Sequence, residues 1–239
     1  MQRLALALGF VALTAPPALA QSLNLDLGGG GTLSSQAIGM IAVITVLSIL
    51  PGLAIMLTCF PFIVTVLSIL RQAIGLPQAP PNMLIVSLAM FLTWFVMDPV
   101  FQAAWQDGGA PLSRGEIELM EALPRVIAPF RIFMAERVDP DSFSAMQALR
   151  PGAAGPPSTA PLSILIPSFL LSEVQRAFEV GFLIYLPFLV IDLVVAAILM
   201  SMGMMMVPPA VVSLPFKLAF FVVADGWSLV SGALVRSYF

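Results

Sequence analysis

The sequence has no histidine, a single cysteine and few charged residues for its length. Without histidine, and with Cys59 as its only thiol, the chain cannot form an intrachain disulfide or a metal site built from thiolates or imidazoles. Ten basic residues stand against thirteen acidic ones, and no basic run indicates binding to nucleic acid or anionic lipid headgroups. These shortages predict no cofactor and no enzyme activity, and we interpret Cys59 as a packing residue.

Hydrophobic residues, by contrast, dominate the composition. They make up 59% of the chain, charged residues only 10%, and the mean hydropathy is +1.02. A water-soluble domain needs more charge than this to cover its surface. The sequence therefore predicts an all-α integral membrane protein with about four hydrophobic helical segments in two hairpins, and a mainly helical periplasmic insertion between them.

Residues 1–20 have the pattern of a secretory signal peptide. Arg3 is the positive n-region, residues 4–13 form a short apolar region, and Ala18 and Ala20 form a small-x-small cleavage site. The alternative is a first transmembrane helix, but the apolar run is too short to span and Pro16-Pro17 interrupts it. Residues 21–37, which are glycine-rich, are then a flexible periplasmic N-terminus.

Residues 38–101 predict the first membrane hairpin. Its first arm, Ile38–Leu70, carries no charge and would be about 50 Å long as one straight helix, against a hydrocarbon core of about 30 Å. Bends at Pro51-Gly52 and Pro61 predict a kinked helix or two helical pieces that end near Arg71.

A connector rich in glycine and proline, residues 71–82, joins this arm to the second one. The second arm, Met83–Val96, is predicted to close at Asp98-Pro99. Arg71 is the only charged residue between positions 27 and 97, and Asp98 is a charge at the boundary of the second arm.

Residues 102–162 have a different composition and predict the soluble insertion. Seven acids and five arginines fall between positions 102 and 161, a pattern typical of solvated surface. Short amphipathic helices are predicted at 116–123 and 131–137, with breaks at Pro124, Pro129 and Asp139-Pro140.

Residues 163–239 predict the second hairpin, and both of its arms have one polar face. On the first arm the face consists of Gly181, Tyr185, Asp192, Ala196 and Gly203, and on the second arm of Ser213, Lys217, Asp225, Ser228 and Gly232. Lipid-facing positions should be uniformly apolar, so both faces are predicted to pack against protein. Before them, Glu173 and Arg176 are spaced to pair one helical turn apart.

Asp192 and Lys217 are predicted to form a buried charge pair. Counted from a turn near Met206, they lie about fourteen and eleven residues down their arms, a mismatch of about 5 Å that a lysine stem can bridge. Either charge alone would be costly at hydrocarbon depth. The spacing allows the partner to lie on the same chain or on a neighbouring copy, and a proton relay is the functional alternative.

The turn between these arms is rich in methionine. Five of the seven residues from Met200 to Met206 are methionine. Methionine is unbranched and polarisable, so a cluster of it suits a surface that must close and yield. A ring of such side chains would exclude water from a narrow pore, whereas a packed turn in a core is the simpler interpretation.

Several strings in the chain resemble one family nearly letter for letter. They are the strings 67–75, 80–82 and 88–97 in the first hairpin and 182–192, 200–209, 213–217 and 225–227 in the second. On these strings the sequence is similar to the FliP family of flagellar biosynthetic proteins, components of the type III export gate. The sequence departs from the family pattern at positions 59–62, where Cys59-Phe-Pro-Phe62 stands in place of small polar and basic residues.

The resemblance implies a core pore-forming subunit that passes unfolded flagellar substrates across the bacterial inner membrane at the flagellar basal body. It implies that Met204, Met205 and Met206 form a gasket around the pore. It also implies a multi-pass homo-oligomer assembled with FliQ-like and FliR-like membrane subunits and surrounded by lipid. The signal peptide gives an external N-terminus, and four apolar segments then predict that residues 71–82 and the methionine turn face the cytoplasm and that residues 102–162 and the C-terminus face the periplasm.

Two alternatives remain open at the level of sequence. One is the equivalent subunit of a virulence-type injectisome, although the signal peptide and the long N-terminal tail favour the flagellar branch. The other is an ion-coupled transporter or an intramembrane aspartyl enzyme that uses Asp98, Asp192 or Asp225, but no paired-aspartate motif is present.

Overall fold

The structure is a computed structural model. It describes residues 55–76, 78–150, 155–204 and 206–239, and six positions before residue 55 (40, 41, 44, 45, 48 and 52). The chain divides into two units, 1–49 and 50–239. In the first unit the described positions, 40, 41, 44, 45 and 48, are helical. The predicted cleavage site at Ala18 and Ala20 lies outside the described residues.

The first hairpin of the second unit is formed by α1 (Phe60–Ile74) and α2 (Asn82–Ala104). Pro61 lies in the first turn of α1, where a proline costs no helical hydrogen bond, and Gly75 ends the helix with a left-handed φ of 87°. Arg71, in the last turn, donates hydrogen bonds to the Pro80 carbonyl and the Asn82 side-chain oxygen and so closes the connector.

The prediction that the second arm closes at Asp98-Pro99 is wrong. α2 runs through Pro99 and continues through a π-helical turn, Trp105–Gly109, into α3 (Ala110–Ser113). Proline removes one helical hydrogen bond, whereas a chain break among apolar residues would leave several backbone groups unpaired. The change in composition at Gln102 is therefore not accompanied by a change in backbone structure.

The predicted breaks at Pro124 and Pro129 are also wrong, because α4 (Leu119–Arg137) runs through both prolines. The predicted break at Asp139-Pro140 is confirmed. α5 (Pro140–Ala148) begins there, with the Asp139 carboxylate accepting the Ser142 N–H at 2.8 Å.

The second hairpin contains the longest helix. α6 (Leu162–Ser201) has 40 residues and includes two prolines, and it is followed by α7 (Pro209–Val223) and α8 (Gly226–Arg236), which are bent by 62° relative to each other. Asp225 lies at the bend with a φ of 47°.

The core surrounds α1, whose side chains contact α2, α6 and α7. The largest of its fully buried residues are Phe62, Ile63, Leu67 and Leu70. At Gly181 of α6 an added Cβ would lie 2.4 Å from the Ile69 Cδ1 atom, so the absence of a side chain lets the two helices approach closely. The small-residue face predicted on the third segment thus packs at its first position against α1.

All regular secondary structure in the described part of the chain is helical, and its helices are strongly apolar. Two continuous helices, 82–113 and 162–201, are long and apolar enough to span a membrane, and the bent pair α7–α8 is a third candidate. α1 is apolar but shorter. The predicted fold class, an all-α membrane protein with hydrophobic segments in two hairpins, is confirmed.

Candidate functional site

The methionine turn is built by a defined helix ending. Gly203 adopts a left-handed φ of 74°, which glycine tolerates without steric cost. The Gly203 N–H bonds to the Met200 carbonyl at 3.0 Å and the Met204 N–H to the Leu199 carbonyl at 2.9 Å. This is a Schellman ending, and it satisfies the last carbonyl groups of α6 while the chain reverses toward α7.

The methionine side chains of this turn lie outside the core of the chain. Met206 is 97% exposed, and Met200, Met202 and Met204 are also exposed. Met205, the third residue of the predicted gasket, lies outside the described residues. Exposed apolar side chains concentrated at a tip indicate a surface that contacts another molecule.

Behind the turn, the charges predicted to pair lie together. The Lys217 Nζ atom is 2.6 Å from the Asp192 Oδ2 atom of the same chain. Asp192 also accepts a 2.6 Å hydrogen bond from the Ser213 hydroxyl through its other oxygen. Both donors lie on α7 and the acceptor on α6, so the three groups fix the two arms of the hairpin against each other.

Lys217 makes a further contact that sequence reasoning missed. Its Nζ atom donates to the Ala73 carbonyl of α1 at 3.1 Å. This carbonyl belongs to the last turn of α1, where carbonyl groups have no helical partner and the helix dipole favours a cation. Lys217 therefore joins three helices, and we call Asp192, Ser213, Lys217 and the Ala73 carbonyl the joint.

The other predicted charges are not part of the joint. Asp98 accepts a 2.7 Å hydrogen bond from the Gln102 amide, and Arg71 closes the connector after α1. Asp225 is exposed at the bend before α8 and makes no side-chain capping bond there. Within the described ranges, no group of three or more acidic or cysteine side chains is arranged to hold a metal ion.

A second charged cluster was only partly predicted. Glu173 is completely buried, and its Oε1 atom lies 3.4 Å from Arg176, the expected neighbour, and 3.2 Å from Arg137 of α4. Its Oε2 atom accepts a hydrogen bond from the Tyr238 hydroxyl. We call Glu173, Arg137, Arg176 and Tyr238 the hub.

Arg137 has three roles in the hub. Besides its pair with Glu173, it donates to the Ser237 carbonyl at 2.8 Å, and its guanidinium lies 4.0 Å from the centre of the Tyr238 ring. Burial, and then the negative charge of Glu173, raise the pKa of the Tyr238 phenol, which stays neutral and acts as a donor. The hub therefore attaches the C-terminus to α4 and α6.

No signal in the sequence could have located the hub completely. Glu173 and Arg176 are one helical turn apart, but Arg137 and Tyr238 lie 36 and 65 positions from Glu173. Only the packing of α4 and of the C-terminus against α6 brings them together.

Comparison with known proteins agrees with this architecture. The sequence model of the FliP family matches residues 43–234. The chain is 49% identical over 225 residues to the flagellar biosynthetic protein FliP of Caulobacter vibrioides, covering 92% of this chain and 84% of that protein. It is 47% identical over 211 residues to the FliP of Agrobacterium fabrum (87% and 86% covered) and 42% identical over 238 residues to the FliP of Aquifex aeolicus (98% and 97% covered).

The matched region contains every described element of both hairpins except the last two residues of α8. The family supplies a structural component of the flagellar export apparatus and is not a family of enzymes. Together with the apolar helices, the match makes the chain a membrane protein of that apparatus and a member of the FliP family.

Proposed function

We propose that the chain is a core pore-forming subunit of the flagellar type III export gate, and that it passes unfolded flagellar substrates across the bacterial inner membrane. Met204, Met205 and Met206 act as the seal. The observation that carries this proposal is the exposed methionine turn, which packs little against its own chain and stands on a hairpin fixed by a buried joint.

The seal requires several copies, because one short turn cannot enclose a pore. Neighbouring copies, together with FliQ-like and FliR-like subunits, place their turns or equivalent segments around one axis at the flagellar basal body. The names of the relatives, all flagellar, support the flagellar assignment over the injectisome. Lipid covers the outer apolar faces of the assembly.

The methionine turn works as a seal through side-chain flexibility and apolarity. Three rotatable bonds let each side chain fill an irregular gap, and thioethers hydrogen-bond water weakly, so a narrow ring of them loses its water and blocks ions. An unfolded polypeptide displaces these side chains at little cost because no polar contact has to be broken.

The proposed topology follows from the signal peptide, removed after Ala20. The mature N-terminus and residues 102–162 are then periplasmic, and the connector 71–82 and the methionine turn are cytoplasmic. The close approach of Gly75 to Leu214, with an added Cβ 3.6 Å from the Leu214 Cδ1 atom, supports a common side for the connector and the beginning of α7.

The seal is tested by replacing Met204, Met205 and Met206 with alanine together. We expect the gate to assemble but the membrane of the cells to leak small ions, measured as a loss of membrane potential. The matched control replaces three exposed methionines elsewhere, Met83, Met90 and Met120. An assembled gate that stays ion-tight with the three turn substitutions would refute the seal.

A further inference from the structure

α2 carries an outward-facing stripe that combines aromatic rings with a charge. At 100° per residue, Phe91, Trp94, Gln102 and Trp105 all lie within about 40° of Asp98. Phe91 is 75% exposed, and both tryptophans are more than half exposed. We call these five residues the α2 stripe. It forms a continuous apolar surface with one carboxylate at its centre.

The carboxylate of the α2 stripe lacks a cation. Asp98 accepts a hydrogen bond from the neutral Gln102 amide, and no basic side chain in the described ranges lies within ion-pair distance of it. An ionised carboxylate surrounded by apolar groups costs several kcal/mol unless a positive charge lies beside it. Lipid tails would cover the rings but would not supply that charge.

Arg236, at the end of α8, is the matching cation. Every other basic side chain that the structure describes bonds to a carboxylate, hydroxyl, amide or carbonyl oxygen of its own chain. Arg236 is exposed, and among the described residues it has no such partner. Arg236 is thus the one described cation without an oxygen partner, and Asp98 is one of several described acids without a cation, singled out by its place in the α2 stripe.

The two charges lie at similar heights along the bundle. The Lys217–Ala73 bond and the Arg71–Asn82 bond place the start of α2 level with Lys217. From the level of Lys217, Asp98 lies about 24 Å along α2 at 1.5 Å per residue. From the same level, Arg236 lies about 17–20 Å along the rest of α7 and the inclined α8. The long arginine stem can span the remaining difference of about 5 Å.

We propose that the α2 stripe docks against a second copy of this chain and that Arg236 of that copy pairs with Asp98. The inference rests on the proposed function, which requires neighbouring copies. Formed once per interface, the Asp98–Arg236 pair makes a head-to-tail contact, and repeating it generates a ring or a helical array, whereas a closed dimer would form the pair twice in one interface. Such an array is the symmetry that a shared pore needs.

The test uses two full-length chains with different tags, produced together in cells that make the rest of the flagellum. One chain carries Asp98→Cys and the other Arg236→Cys, and a bismaleimide crosslinker about as long as an arginine side chain is added, because the Cβ atoms of an Asp–Arg pair lie too far apart for a direct disulfide. We expect a crosslinked dimer that contains both tags. Chains with only the buried Cys59 are the first control, and Asp225→Cys combined with Arg236→Cys is the second.

Copurification of the two tags, measured on the same samples, separates this proposal from the proposed function. If the tags copurify but only the Asp225 pair crosslinks, or no pair does, the docking surface is wrong and the multi-copy gate stands. If the tags do not copurify even for the unmodified chain, the multi-copy gate itself fails. A crosslink that forms only within a chain carrying both cysteines also overturns the docking surface.

Charge reversal gives a second readout that needs no new cysteine. Asp98→Arg or Arg236→Asp alone should reduce copurification about tenfold or more, because like charges would face each other in the interface. The two reversals on the same chain should restore it, since every interface then regains one pair. Unchanged copurification in both single variants would contradict the pairing.

Discussion

Glu173 and Asp192 lie on α6, nineteen positions apart, and the chain neutralises these two carboxylates differently. In the hub the anion is the most deeply buried member: Glu173 has no exposed side-chain surface, whereas Arg137 is 15% and Arg176 37% exposed. In the joint the cation is the deepest member, with Lys217 6% and Asp192 30% exposed. The hub closes the chain on itself, while the joint leaves its carboxylate partly exposed.

The difference in exposure shows which partner of each cluster can be removed with the smaller loss of stability. A buried charge left alone is costly, whereas a partly exposed one can recover some solvation. Loss of Arg137 should therefore be worse than loss of the more exposed Arg176, and loss of Asp192 should be worse than loss of Lys217.

The largest effect is expected for Arg137→Met in the hub. It leaves the fully buried Glu173 with Arg176 as its only cation and removes the bond to the Ser237 carbonyl. The free energy of unfolding should fall by about 3 kcal/mol or more, measured by denaturation of the purified chain in detergent. Arg176→Met is the matched control and should cost less than about 1 kcal/mol. Equal losses in the two variants would contradict the comparison.

In the joint, removal of the anion should lower the stability more than removal of the cation, and both losses should be smaller than that of Arg137→Met. Asp192→Asn leaves the buried Lys217 ammonium with neutral oxygens only, at a cost of about 2–3 kcal/mol. Lys217→Met leaves Asp192 partly exposed and still bonded to Ser213, at a cost of about 1–2 kcal/mol. The same denaturation measurement ranks the two variants. A greater loss for Lys217→Met would mean that the carboxylate is the less tolerant partner.

Between the two clusters, α6 contacts α1 without any charge, at Gly181. Gly181→Val would place its Cβ 2.4 Å from the Ile69 Cδ1 atom, so the helices must separate, at a cost of about 1–3 kcal/mol. Gly232→Ala is the control, because the nearest atom to its added Cβ is 3.6 Å away, on Arg236. The melting temperature should fall for the first variant and stay equal or rise slightly for the second. A tolerated valine would show that the close approach at Gly181 is not needed for stability.

The smallest effect is expected outside both clusters, at Asp139. The Ser142 N–H that bonds its carboxylate holds the pKa of Asp139 below the ordinary value of 3.8. A lowered pKa stabilises the fold at pH values above that ordinary value, and the contribution is lost as the pH falls below it. Asp139→Ala should therefore lower the melting temperature slightly at pH 7, and the difference from the unmodified chain should shrink near pH 3. A difference independent of pH would exclude the charged cap.

The sequence predicted the features that depend on short-range counting. The hairpins and the reach of Lys217 to Asp192 follow from residue spacing. The left-handed helix ending at Gly203 was not predicted, because Gly203 was assigned to the polar face of the helix. The continuity of the helices through Pro99, Pro124 and Pro129 could not be predicted from residue spacing, because a proline can be accommodated when the surrounding helix is long or packed.

Contacts between distant segments could not be predicted from the sequence. The Ala73 carbonyl is a main-chain group that every residue carries, so nothing in the sequence distinguishes it as a partner of Lys217. Arg137 and Tyr238 reach Glu173 only after α4 and the C-terminus have packed on α6. Both contacts are consequences of tertiary structure.

The most direct test of the account is the distance between methionine turns of neighbouring copies. Spin labels attached at Met206→Cys in the purified assembly would report it by pulsed electron resonance, with labels at Met83→Cys and Met120→Cys as references on other exposed surfaces. A shared seal predicts that the turn labels give the shortest distances of the three. Turn labels farther apart than both references would contradict a seal made jointly by several copies.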